Sequence, residues 1–117
     1  MLFLEYPSCS TCKKARKWLD DHFLSYTARH IKENNPTLTE LQHWLVASGL
    51  PIKKFFNTSG LLYKSMDLKN TLPSMTQEEQ LLLLSSDGML VKRPIVITDQ
   101  GKVLVGFREM EWAETLL

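Results

Sequence analysis

Apolar positions along this chain change period several times, and each change marks an element. Met1 to Tyr6 is a short apolar run of the kind a buried strand makes. From there Ala15, Trp18, Leu19 and Phe23 recur at helical spacing, with Lys13, Lys14, Arg16 and Lys17 turned to the opposite side. The spacing predicts a helix packed on a sheet. Within Leu24 to Ile31, the residues Tyr26, Ala28 and Arg29 to Ile31 read as a second strand. Strand, helix and strand in so few residues make a βαβ unit with parallel strands and a right-handed crossover.

The middle of the chain, about 36–88, reads as a helical insertion. Thr37-x-x-Glu40 is a capping box, and Leu38, Leu41, Trp44 and Leu45 supply a buried stripe up to a stop at Gly49. Pro51 suits the first position of a short helix through Phe56, which Asn57-Thr58-Ser59-Gly60 breaks. Leu61 to Leu68 reads as a short helix or turn. Thr76-Gln77-Glu78-Glu79 is a second capping box, opening a helix through the Leu81 to Leu84 run to Asp87-Gly88. Beyond it, Pro94 to Thr98 is β-branched and apolar, Asp99-Gln100-Gly101 is turn chemistry, and Lys102 to Phe107 alternates, which together predict a hairpin. Glu109 to Leu117 closes the chain as a helix with Met110, Ala113 and Leu116 on one side. The order βαβ, insertion, ββα predicts an α/β fold with a small mixed sheet and helices on both faces.

Composition narrows the function classes. A chain of 117 residues suits one domain with its own core. Lys+Arg number 14 against 13 Asp+Glu, a net charge of +1, which offers no global field for nucleic acid or an anionic membrane. No apolar stretch approaches the ~20 residues that span a bilayer, and no charged region precedes the first apolar run as in a secretory signal. Two cysteines in one motif make no disulfide framework, so a cytoplasmic monomer whose thiols rest reduced is expected.

Those cysteines are the candidate chemistry. Cys9 and Cys12 lie at the strand-to-helix turn in Pro7-Ser8-Cys9-Ser10-Thr11-Cys12-Lys13-Lys14. Unpaired N–H groups of a helix's first turn carry partial positive charge and favour a thiolate over a thiol. The thiolate is the nucleophile. Cys9, preceding or capping the helix, is expected to point outward as the nucleophile, and Cys12, in the first turn, to be shielded as the resolving thiol. A zinc site lacks a second C-x-x-C, and His22, His30 and His43 show no ligand spacing close to the pair, so no metal is expected. Polar Ser10 and Thr11 between the cysteines argue against simple core packing, and a permanent disulfide would close too small a loop to restrain the unfolded chain. On local pattern alone, Pro94 reads as an edge-strand proline beside solvated Lys92 and Arg93; a cis bond there would instead turn Arg93 toward the sheet end.

The run Tyr6 to Ala15, taken with Lys92-Arg93-Pro94-Ile95-Val96-Ile97 and Val105-Gly106-Phe107, resembles the arsenate reductase ArsC/Spx family of thioredoxin-like proteins over essentially the whole chain. The short Spx-like branch, with its C-x-x-C, is the nearer likeness. The resemblance implies a thioredoxin-like (glutaredoxin-like) mixed four-stranded sheet interrupted by the helical insertion. It also implies a cis Pro94 facing the Cys9 loop. By the same resemblance Cys9 is the catalytic cysteine and Arg93 the guanidinium that stabilises its thiolate and a bound oxyanion, a role suited to planar, permanently charged donors. Ser10, Thr11, Asn57, Pro94 and Arg108 are the implied substrate-binding positions.

Departures from that pattern shape the implied activity. Where glutaredoxin-coupled arsenate reductases carry two further arginines, this chain has Asn57 and, near the second, Gly106-Phe107-Arg108 with the arginine displaced. Losing two charge-assisted bonds of about 1.5–3 kcal/mol each weakens an anion site substantially. The leading expectation is therefore a thiol–disulfide oxidoreductase that binds no cofactor and takes electrons from glutathione, glutaredoxin or thioredoxin. The alternatives are an Spx-like redox-switched regulator binding the C-terminal domain of the RNA polymerase α subunit, and a genuine arsenate reductase. The chain is expected to lack the C-terminal extension of Spx, and Gly49, near the glycine Spx uses in polymerase contact, reads as a helix stop.

Overall fold

A computed structural model describes residues 1–117. Its sheet has four strands in the order β2-β1-β3-β4: β1 (Leu2–Glu5), β2 (Thr27–His30), β3 (Ile95–Ile97) and β4 (Val103–Val105). β1 runs parallel to β2 and antiparallel to β3, and β3 runs antiparallel to β4. The βαβ and hairpin units read from the sequence thus meet through the β1–β3 pairing, which joins residues more than ninety positions apart, as Phe3↔Val96. Pro94 leads into a central strand rather than an edge strand, and the Arg93–Pro94 bond is cis, as the family resemblance implies and the local pattern does not.

Strand alternation sorts the core into two layers. Phe3, Val96 and Leu104 turn to one face, where α1 (Ser10–Asp21) packs Ala15, Trp18 and Leu19 and α6 (Glu109–Leu116) packs Trp112. Leu4 and Ile95 turn to the other face, covered by α2 (Leu38–Ser48), α5 (Gln77–Ser86) and the segments between them. Those segments are a 3₁₀ turn at Ile52–Phe55, α3 (Leu61–Ser65), α4 (Leu68–Thr71) and a 3₁₀ turn at Leu72–Ser74. Both capping boxes form as read: the Thr37 and Thr76 side chains accept from the N–H of Glu40 and Glu79, whose carboxylates accept in return. Gly49 ends α2 with a left-handed φ of 66°.

Two apolar residues that share a helical spacing with their apolar neighbours are nevertheless exposed. Phe23 is 94% exposed, because α1 ends at Asp21 and Phe23 takes a left-handed φ of 56°. Phe23 N–H donates to Asp20 O at 3.1 Å and Leu24 N–H to Leu19 O at 3.1 Å, the bond pair of a Schellman turn. Leu24, not Phe23, then joins the core beside Leu19. In α6, Met110 is 80% exposed and Trp112 is fully buried, its indole N–H donating to Gly106 O at 3.0 Å. The large ring captures the sheet face and rotates Met110 outward. No helix is long and apolar enough to cross a membrane.

Candidate active site

β1 delivers the chain to the cysteine turn. Cys9 N–H donates to Tyr6 O at 2.9 Å, closing the turn, and Cys9 then occupies the N-cap of α1 in extended conformation, with no side-chain cap of its own. Its sulfur is half-buried, and Cys12, one turn on, is fully buried. Both are free thiols. The two side chains have opposite electrostatic surroundings. Partial burial pushes the Cys9 thiol up, but the N–H and thiol of Cys12, the Arg93 guanidinium and the N–H of Thr11 together outweigh it and hold its pKa below the ordinary value. Burial, with a Cys9 thiolate beside it, pushes Cys12 up to about 12 against the opposing Tyr6 N–H, which lies 3.5 Å from its sulfur. One sulfur is therefore readied as a thiolate while its neighbour keeps its proton.

Arg93 reaches this turn from the segment before β3. Its guanidinium lies over the Tyr6 ring, and Nη1 is buried without a hydrogen-bond partner in the protein. A buried guanidinium nitrogen left open beside a reactive thiol is a donor held for something else. Below the turn, Glu5 is 5% exposed and accepts two hydrogen bonds from Arg16, one from Nε at 3.2 Å and one from Nη2. That pair ties the end of β1 to α1.

A cleft of about 760 Å³ opens over Cys9. Ser10 and Thr11 form one wall, Lys92 and Arg93 another, and Asn57, Ser59 and Gly60 a third, with Lys32, Asp87 and Met89 completing the rim. Asn57 is nearly buried: its N–H donates to Leu90 O at 2.8 Å and its Oδ1 accepts from Ser59 Oγ at 3.3 Å. A neutral amide thus stands where the family resemblance would have a further cation. No cluster of three or more His, Cys, Asp or Glu side chains is arranged to hold a metal ion.

The fold brings together Cys9, Ser10, Thr11, Asn57 and Arg93, with Cys12 beneath them. Two positions read as substrate-binding lie elsewhere. Pro94 is buried and is not on the lining of that cleft. Arg108 is 80% exposed, points into a separate cleft, and lies 4.0 Å from Glu111. Next to it in the chain, the Phe107 ring packs against Trp112 at 4.8 Å between centroids. Sequence reading assigned no role to Lys32, Lys92 or Asp87. Lys92 adjoins Arg93 and had that signal; Lys32 and Asp87 enter the cleft only through packing of the insertion against the sheet.

A mixed four-stranded sheet with a dithiol at the N-terminus of its first helix defines an α/β protein of thioredoxin-like architecture. The ArsC family model matches residues 4–115, and the chain belongs to that family. It is 49% identical to YusI of Bacillus subtilis (strain 168), covering 97% of this chain and 96% of YusI. It is 32% identical to the regulatory protein MgsR of the same strain, over 95% of this chain and 86% of MgsR. Identity to the global transcriptional regulator Spx of Streptococcus pneumoniae (strain ATCC BAA-255 / R6) is 31%, over 94% of this chain and 80% of Spx. An ArsC family related protein from Bacteroides fragilis superposes with a TM-score of 0.93 at 56% identity, covering 97% of this chain and 94% of that one. The arsenate reductase from Vibrio cholerae, 20% identical, shares the fold with a TM-score of 0.83 over 99% of this chain and 96% of its own.

Proposed function

We propose that this chain is a cytoplasmic thiol–disulfide oxidoreductase, with Cys9 as nucleophile, Cys12 as resolving thiol and Arg93 supporting the Cys9 thiolate. One observation carries the reading: of two adjacent thiols, the half-exposed one is held below its ordinary pKa and the buried one is pushed up to about 12. The Cys9 thiolate attacks one sulfur of a substrate disulfide, forming a mixed disulfide and releasing the other sulfur as a thiolate that takes up a proton. Cys12 then gives up its proton and attacks Cys9 Sγ, forming the Cys9–Cys12 bond and releasing the second substrate thiol. Two electrons pass from the dithiol to the substrate. Glutathione, glutaredoxin or thioredoxin returns them. Ser10, Thr11 and Asn57 line the substrate's path, and the open Nη1 of Arg93 offers it a donor.

Single-turnover reaction of the reduced protein with a small neutral disulfide tests the reading. Cys9→Ser is expected to abolish thiol release, and Cys12→Ser to stop at a mixed disulfide visible by intact mass. Equal, small losses in both variants would overturn the roles.

A second reading has its own support in the likeness to MgsR and Spx. In it, Cys9 and Cys12 form a redox switch on a regulator that binds the C-terminal domain of the RNA polymerase α subunit. Capture of that domain by the reduced or the oxidised protein, but not both, favours this reading; capture by neither removes it. Arsenate reduction has the weakest support, because Asn57 is uncharged and Arg108 faces another cleft.

A further inference from the structure

A second cleft, of about 680 Å³, opens beside the first and shares Thr11 and Lys92 with it. Its apolar floor includes Phe56 and Phe107, and four cations, Lys53, Lys54, Lys92 and Arg108, stand around it. Glu111 is its one carboxylate and sits 4.0 Å from Arg108, so no acid forms an ion pair with the three lysines. Lys53 and Lys54 are exposed on the 3₁₀ turn. Lys92 is carried across Gly106, where an added Cβ would meet its Cε at 3.3 Å. In a chain of net charge +1, this is a local excess of positive charge beside the reactive sulfur.

We infer that this groove docks an acidic segment flanking the disulfide of a protein substrate, an inference that rests on the oxidoreductase reading and supplies its substrate class. Carboxylates would meet the ammonium groups at the rim while intervening side chains cover the apolar floor. A ligand lying there reaches the Cys9 loop at Thr11. A nucleic-acid strand is the poorer occupant, since phosphate recognition draws on an extended basic surface and this chain's charges nearly balance.

The test compares two short peptides, each carrying a single cysteine as a mixed disulfide with 2-mercaptoethanol and followed by either aspartates or asparagines. Reduced protein is mixed with each, and thiol release is followed in a single turnover. The Cys9 thiolate attacks the peptide's disulfide and Cys12 completes the exchange, so no added reductant is required. The aspartate peptide is expected to react at least ~10-fold faster at low salt, the advantage shrinking as salt screens it. The Lys53→Glu/Lys54→Glu double variant is expected to lose or invert that preference while its rate with the asparagine peptide is unchanged. Equal rates for the two peptides in the wild type, or a preference surviving in the double variant, would overturn the inference. So would tighter binding of a single-stranded oligonucleotide than of the acidic peptide at the same groove. Anisotropy of the reduced, labelled acidic peptide reports docking without chemistry. Salt-sensitive docking with no thiol release from either peptide would count against the oxidoreductase reading alone, and absence of docking with normal release against the groove alone.

Discussion

The guanidinium carbon of Arg93 lies 5.1 Å from the centroid of the Tyr6 ring, and the Tyr6 backbone N–H points at Cys12 Sγ from 3.5 Å. Tyr6 therefore touches both halves of the dithiol site, orienting the cation that favours the Cys9 thiolate and bordering the sulfur that stays protonated. A cation over an aromatic face is attracted by the ring quadrupole and loses rotational freedom. Tyr6 is thus a positioning residue. Tyr6→Phe is expected to preserve the pH profile of Cys9 alkylation, whereas Tyr6→Leu is expected to move it to higher pH with little change in far-ultraviolet circular dichroism. An unmoved profile in Tyr6→Leu would remove that role.

Arg93→Ala removes the guanidinium itself. A charge-assisted hydrogen bond contributes about 1.5–3 kcal/mol, so alkylation of Cys9 at neutral pH is expected to slow by about tenfold or more. Arg93→Lys is expected to fall between the two, since it keeps the charge and loses the planar fork. Stopped-flow or quenched alkylation followed by mass spectrometry reads both.

Cys12 supplies a pH-linked signature. Its pKa is raised on folding from an ordinary 9.0 to about 12, so the folded state holds this proton more tightly than the unfolded chain. The associated stability is complete below pH 9.0 and is lost as pH rises toward about 12. Melting temperature is expected to decline across that alkaline window, and Cys12→Ala to flatten the decline. Under native conditions at neutral pH, iodoacetamide is expected to modify Cys9 and spare Cys12.

Glu40 shows the opposite sign. Arg29 donates to both of its carboxylate oxygens, at 2.7 and 2.9 Å, and the N–H of Thr37 adds a third bond at 3.0 Å. The Arg29 hydrogen bonds, aided by Thr37, pull its pKa from 4.5 down to about 2 against partial burial. Stability from this group is present above pH 4.5 and lost as pH falls toward about 2. Glu40→Gln is expected to lower stability by about 1–2 kcal/mol at neutral pH, where a capping box and a charged partner are weakened together, and by much less at the acid end. Urea melts at several pH values check the crossover.

Beneath the site, Glu5 is buried, and Arg16→Ala would leave its carboxylate without its cation. Breaking a buried pair from one side typically costs about 3–5 kcal/mol, and partial exposure of Arg16 argues for the lower end. Chemical denaturation is expected to show a loss of roughly 3 kcal/mol, partly restored by Glu5→Gln in the same chain.

Gly88 has a steric requirement of its own. A Cβ there would lie 1.8 Å from the Ile31 carbonyl oxygen, on backbone that cannot rotate away. Gly88→Ala is expected to cost about 1–3 kcal/mol as the turn after α5 is pushed off Ile31, shifting Asp87 and Met89 at the rim of the Cys9 cleft. Thermal melts measure the first effect and the Cys9 alkylation rate the second.

Short-range chemistry in the sequence determined much of this protein. Thr37 with Glu40 and Thr76 with Glu79 bond within one helical turn, and Cys9 and Cys12 meet because a helix start brings residues three apart onto one side. Alternation in the strands assigned Phe3 and Leu4 to opposite faces. Where α1 stops was less legible: without glycine at the left-handed position, the apolar spacing carried Phe23 into a face that Leu24 occupies. The rest came from the tertiary structure. Trp112 took the buried face and left Met110 outside, Arg108 fell on a cleft separate from that of Cys9, and Lys32, Asn57, Asp87 and Arg93 converged on Cys9 from distant segments. No local pattern encodes such convergence, because it depends on how the insertion packs against the sheet, where contacts between residues far apart in the chain decide which side chains share a cleft.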